Sequence, residues 1–158
     1  MKMSNMARVK MRQHEKPVMK YYDDMGPGRG NCSWGIGILE HRGPCTAEEL
    51  ARPVTVGQVE AEFSSRVQEA ERTVERRVTV DLTQEQFDAL VSFTFNRGST
   101  GATPVFDLVN AGDFDGAANR ISSEVYGRTK KNGKSVMVLL SGLVSRRKEE
   151  SAPFREKK

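Results

Sequence analysis

The chain has 158 residues, 29% of them charged and 37% apolar, with a net charge of +4. That is one domain's worth of chain, long enough to bury a core, polar for a globular protein but not disordered in character. No run approaches the roughly 18 apolar residues of a membrane span, and the N-terminal Met1–Val9 stretch has no apolar segment of signal-peptide kind.

In chain order, residues 4–14 read as a helix with Met6 and Val9 on one side and Met3 and Met11 near it, ended by Pro17. From 18 to 40 the pattern changes. Gly26, Pro27, Gly28, Gly30, Gly35 and Gly37 punctuate a stretch rich in Tyr21, Tyr22, Trp34, Ile36 and Ile38, which predicts a small antiparallel ribbon with an irregular turn at 25–31. Three capping boxes follow, at Thr46–Glu49, Thr55–Gln58 and Thr83–Gln86. After Thr55, the apolar residues Val59, Phe63, Val67, Ala70 and Val74 recur at helical spacing along a long amphipathic helix, with Val78-Thr79-Val80 as its extended exit. Phe87, Leu90, Val91, Phe93, Thr94 and Phe95 crowd every side of the next helix, the mark of a buried central element. Further helices are predicted at about 103–111, 114–124 and 136–150, separated by Gly112 and by a solvated turn at Lys130–Lys134. The fold class is α+β, mostly α, with a small N-terminal β-ribbon and a helical bundle around a buried central helix.

The chemistry concentrates in the first 37 residues. Glu15 is followed nine residues later by Asp24, itself preceded by Asp23, and then by Ser33-Trp34-Gly35-Ile36-Gly37. Splitting a glycosidic bond requires two carboxylates, one to protonate the leaving oxygen and one to activate water or attack carbon, and a nearby hydroxyl can hold that water. The structural alternative has Glu15 pairing with Lys16 and the two aspartates forming a turn. A hairpin here would bring Asp24 and Ser33 together, and a one-residue slip would put Asp23 in Asp24's place.

The segments Leu82–Gly98, Val109–Ala118 and Gly142–Glu149, together with the N-terminal residues, resemble the phage-type lysozymes or endolysins (glycoside hydrolase family 24) in order over about residues 8–154. The resemblance implies a single lysozyme-like catalytic domain over 1–158, with a β-rich active-site lobe at about 15–45 and a helical lobe at about 46–154. It implies a muramidase that cleaves the β-1,4 bond between N-acetylmuramic acid and N-acetylglucosamine in peptidoglycan. Glu15 falls at the family's general acid, Asp24 at its catalytic carboxylate and Ser33 where the family has Thr. The chain departs from the family in a longer 25–31 turn, in that Ser, and in Ile38 where the family often has His, a contact that His41 could supply. No metal and no cofactor are called for.

Secondary roles are expected for Trp34, stacking on sugar, and for Arg146 and Arg147, carrying wall-binding charge; each also reads as structural, Trp34 as core and the arginines as a solvated helix face. Asn96 and Arg97 read as structural. The basic excess at Lys2, Arg8, Lys10, Arg12, Arg146, Arg147, Lys148, Arg155, Lys157 and Lys158 suits a polyanion, whether nucleic acid or the anionic bacterial wall. With no helix-turn-helix or zinc-finger signature, the expected partner is peptidoglycan and not nucleic acid. The protein is expected to be a monomer without a membrane anchor, made in the cytoplasm and acting in the periplasm with the help of a holin or secretion machinery. Cys32 and Cys45 fit a disulfide and a pair of buried thiols equally well, and their spacing matches no zinc pattern.

Overall fold

A computed structural model describes residues 1–155, with the backbone alone at 128–131. Lys157 and Lys158 of the basic tail lie outside the described residues. The chain divides into two compact units, Arg8–Arg66 and Met1–Ala7 with Val67–Lys158.

The Arg8–Arg66 unit holds most of α1 (Asn5–His14), a three-stranded antiparallel sheet of β1 (Val18–Asp23), β2 (Cys32–Gly35) and β3 (Ile38–His41), the short α2 (Ala47–Ala51) and the first half of α3 (Val56–Arg77). Its sheet packs Tyr21 and Cys32 with Val54 and Val59 into one apolar cluster, against which Trp34, Ile36 and Cys45 lean. Cys32 and Cys45 are joined in a disulfide, which resolves the two readings of the sequence. Along α1 and α3, Phe63 is buried under the guanidinium groups of Arg8 and Arg12, 5.8 and 5.9 Å from its ring centre. The capping boxes at Thr46 and Thr55 both form: each threonine hydroxyl accepts the backbone N–H three residues on, and Glu49 and Gln58 reach back to the threonine N–H.

In the other unit, the second half of α3 lays Val67, Ala70 and Val74 into the core. The central helix α4 (Gln84–Asn110) starts at the Thr83–Gln86 capping box and buries Phe87, Leu90, Val91 and Phe93, then Val105, Phe106 and Val109. It is two helices joined across Gly98, whose φ of 80° and ψ of 163° no helix contains. The predicted helix at 103–111 is therefore the second arm of this element. Residues 78–80 form no strand and are tied back by Asn110, which accepts the Thr79 N–H at 2.8 Å and donates to the Arg77 carbonyl at 2.8 Å.

α5 (Phe114–Ser123) is capped by Asp113, which accepts the Gly116 N–H. Then comes a hairpin, β4 (Tyr126–Lys131) and β5 (Lys134–Leu139), where the sequence reading had a helix beginning at 136. That helix, α6 (Ser141–Ser151), starts five residues later and ends in a 3-10 turn at Ala152–Phe154. The signal was present: Asn132-Gly133 is a strong hairpin turn, and Val136-Met137-Val138-Leu139 suits a strand better than a helix start. Phe154 closes the unit edge-on to Phe114, with ring centres 5.8 Å apart.

Candidate active site

Glu15, Asp24 and Ser33 all fall in the Arg8–Arg66 unit. Glu15 follows the last residue of α1 directly, and its N–H still donates to the Met11 carbonyl at 3.2 Å. Arg12 fixes this end. Its guanidinium donates to the Glu15 carbonyl at 3.0 Å and pairs with Glu60 on α3 at 2.7 Å. The Glu15 side chain is half-buried.

The β1–β2 register places Tyr21 opposite Trp34, Tyr22 opposite Ser33 and Asp23 opposite Cys32. Side chains alternate between the two faces of a strand. Tyr21, Asp23, Cys32 and Trp34 therefore share one face, and Tyr22 and Ser33 share the other. Asp24, one step beyond the strand, continues on the face of Tyr22 and Ser33. Its N–H donates to the Asn31 carbonyl at 3.0 Å, and its Oδ1 accepts the Asn31 N–H at 2.8 Å. The Tyr22 phenol is pushed above its ordinary value, first by burial and second by the charge of Asp24, as expected of neighbours on one face.

The two aspartates thus differ in how much of each is already spent. Asp23 has both carboxylate oxygens occupied, Oδ2 by the Gly28 N–H at 2.8 Å and Oδ1 by the Cys45 N–H at 2.7 Å. Asp24 is exposed, and among the described residues only its Oδ1 is engaged. The long turn between them and Asn31 is shaped around this carboxylate. Gly30 has a φ of 74°, and a Cβ there would stand 2.1 Å from Asp24 Oδ1. Sequence reasoning gives Gly30, Asn31 and Arg12 no place in the site; the Gly-Asn step at the end of an aspartate-started turn is the available signal.

Ser33 is 5% exposed, and its hydroxyl makes no hydrogen bond among the described residues. It can still accept or donate to a water. Trp34 lies on the opposite face, half-buried against the apolar cluster and 6.3 Å from the Tyr21 ring centre. Its indole N–H is buried without a partner among the described residues. That placement gives Trp34 a core role and removes it from the face that carries Ser33.

Arg146 and Arg147 belong to the other unit and are buried, at 4% and 0% exposure. Arg146 donates to Glu150 at 3.3 Å and to the Ser92 carbonyl at 3.1 Å. Arg147 donates to Glu150, to the Asn96 side chain and to the Glu124 carbonyl, and lies 4.9 Å over the Phe93 ring. Burial pushes the Arg147 guanidinium down from its ordinary value, and Glu150 opposes that. Guanidinium groups enclosed this way tie helices together and cannot present charge to a wall polymer, which corrects the expectation for both arginines. Asn96 is structural for the same reason, and Arg97 pairs with Glu124 at 3.2 Å.

Beside the disulfide, His41 Nε2 donates to Glu49 at 2.7 Å and Nδ1 donates to the Arg42 carbonyl at 2.9 Å. Both ring nitrogens face acceptors, so the imidazolium is the favoured form. The His41 pKa is raised and that of Glu49 lowered, in each case mainly by the hydrogen bond between them. With Cys32, these two form a group of three donors whose ligand atoms lie within 4.8 Å of one another.

A family model described as phage lysozyme matches residues 12–150. An endolysin of Bacillus phage B103 is 40% identical over 90 residues, which is 56% of this chain and 31% of that protein. An endolysin of Acyrthosiphon pisum secondary endosymbiont phage 1 is 33% identical over 103 residues, 64% of this chain and 68% of that protein. The matches thus span about a third of the first relative and two thirds of the second. Among solved structures, the muramidase domain of SpmX from Asticaccaulis excentricus is similar over 99% of both chains, with a TM-score of 0.72 and 26% identity.

Proposed function

The chain belongs to the phage lysozyme family and has its lysozyme-like fold, and from that premise we propose that it is a peptidoglycan hydrolase, an endo-acting N-acetylmuramidase. The observation that supports the proposal is the Tyr22–Ser33 pairing across the ribbon, with Asp24 next after that strand, in the same compact unit as Glu15. In this reading Glu15 protonates the glycosidic oxygen as it leaves. Asp24, with its second oxygen uncommitted, takes a proton from a water that the Ser33 hydroxyl holds in line. Attack of that water on the anomeric carbon inverts its configuration, the outcome expected when the carboxylates stand far enough apart to admit it.

The substrate is the β-1,4 bond between N-acetylmuramic acid and N-acetylglucosamine, and the protein works as a monomer. No described helix is long and apolar enough to cross a membrane. Passage to the periplasmic wall would depend on a holin or on secretion machinery.

The test is clearing of purified peptidoglycan by the wild type and by Glu15→Gln, with the released fragments identified. Clearing that leaves free reducing ends on muramic acid, and that Glu15→Gln abolishes, supports the assignment. A folded wild type that binds the wall without cutting it would make the chain a binding module. Clearing that survives Glu15→Gln would place the general acid elsewhere.

A further inference from the structure

The disulfide end of the β-sheet carries a second set of chemical groups that the glycosidase reading does not use. We propose that the chain with Cys32 and Cys45 reduced binds one zinc-class divalent cation through the two cysteine sulfurs, His41 Nε2 and Glu49. The proposal does not depend on the hydrolase assignment.

Three donors are already assembled. Cys32, His41 and Glu49 place their ligand atoms within 4.8 Å of one another, and tetrahedral zinc holds N, O and S ligands roughly 3–4 Å apart. Opening the disulfide frees a fourth donor, the Cys45 sulfur, next to that of Cys32. Two thiolates, an imidazole and a carboxylate select a borderline-soft ion over magnesium or calcium.

The surroundings suit the metal as well. A zinc-bound histidine characteristically donates its other ring N–H to a carbonyl or carboxylate, which fixes the tautomer and aims the ligating nitrogen. His41 already donates from Nδ1 to the Arg42 carbonyl at 2.9 Å, with Nε2 aimed at Glu49. Glu49 is held in the first turn of α2 by the Thr46 capping box. The His41 side chain is 39% exposed, so an ion has a way in.

The exchange balances. A dithiol reductant gives two electrons and two protons to the disulfide and leaves as its own disulfide. The cation then displaces both thiol protons and the Nε2 proton of His41. In a reducing compartment the metal takes over the tie between β2 and the Cys45 segment. That tie is one hydrogen bond from the active-site turn, since the Cys45 N–H donates to Asp23.

Cobalt(II) serves as the probe. The full chain is reduced, freed of reductant without air and titrated, and its spectrum followed. The expected result is one cobalt per chain, with a thiolate-to-cobalt band in the near ultraviolet, strong visible bands of tetrahedral cobalt, and displacement by zinc. The oxidised wild type gives none of these bands. Glu49→Gln and His41→Gln weaken binding about tenfold or more and alter the visible bands, while Cys32→Ser weakens the thiolate band and the Cys32→Ser/Cys45→Ser double variant removes it. A reduced wild type without a thiolate band at micromolar cobalt overturns the proposal. So do His41→Gln and Glu49→Gln proteins with the wild-type affinity and spectrum, since that would be a bare dithiol.

Discussion

Tyr22 and Ser33 stand directly opposite each other across β1 and β2, and that one register puts Asp24, not Asp23, on the face of Ser33. The neighbouring aspartate looks the other way and is consumed by the Gly28 and Cys45 N–H groups. Adjacent residues of identical chemistry thus meet different surroundings because of the pleat.

The two should separate on mutation. Asp24→Asn is expected to lower the rate of wall clearing by a factor on the order of a hundred or more, with an almost unchanged melting temperature. Asp23→Asn should cost about 1–2 kcal/mol of stability through its two backbone hydrogen bonds and keep more of the activity. Parallel melting curves and clearing assays decide it; the reverse pattern would exchange the two roles.

Gly30→Ala should behave as an Asp24 variant although it changes no functional group. Its Cβ would meet Asp24 Oδ1 at 2.1 Å in a backbone with φ of 74°. The expected outcome is loss of clearing comparable to Asp24→Asn, with wall binding retained. Full activity in Gly30→Ala would show that the carboxylate does not need its position in the turn.

Ser33→Thr keeps the hydroxyl and should keep most of the rate, whereas Ser33→Ala should lower it on the order of tenfold, the worth of one well-placed hydrogen bond to an activated water. Comparing kcat at saturating wall substrate reads this directly. Equal rates for the alanine and threonine variants would remove the hydroxyl from the mechanism.

Glu150 is the counter-charge for two enclosed guanidinium groups, with side-chain exposures of 5%, 1% and 4% for Arg146, Arg147 and Glu150. Glu150→Ala leaves both cations uncompensated and is expected to cost about 3–5 kcal/mol, measured by urea unfolding. A loss under about 1 kcal/mol would contradict the enclosed network.

The His41–Glu49 pair predicts a pH window. The His41 pKa is raised above its ordinary 6.5, so its contribution to stability is fully present below 6.5 and fades as pH rises through the folded value. The Glu49 pKa is lowered below its ordinary 4.5, so its contribution is present above 4.5 and fades as pH falls through the folded value. The pair therefore contributes most between about 4.5 and 6.5. His41→Gln should narrow its deficit in melting temperature above that window; a deficit that does not vary with pH would show that the pair does not titrate.

Local chemistry by itself determined much of this protein. The capping boxes at Thr46, Thr55 and Thr83 started helices where they were expected, because a cap is a hydrogen-bond exchange within four residues. Helical spacing found the buried side of α3, and the all-round apolar stretch from Phe87 to Phe93 marked the central helix. The order of Glu15, Asp24 and Ser33 was legible as well. Other features depended on partners distant in the chain. The turn at Lys130–Lys134 was legible, but the apolar end of β5 from Val136 reads as the start of a helix because a short apolar run carries no period of its own. Arg146 and Arg147 read as surface charge because nothing near them in sequence announces Ser92, Asn96 or Glu124 as partners. Trp34's face, the different hydrogen bonding of Asp23 and Asp24, the disulfide and the gathering of His41 and Glu49 beside it all followed from strand register and packing. Those are decided by which surfaces the folded chain can bury together, and no stretch of sequence contains both sides of that choice.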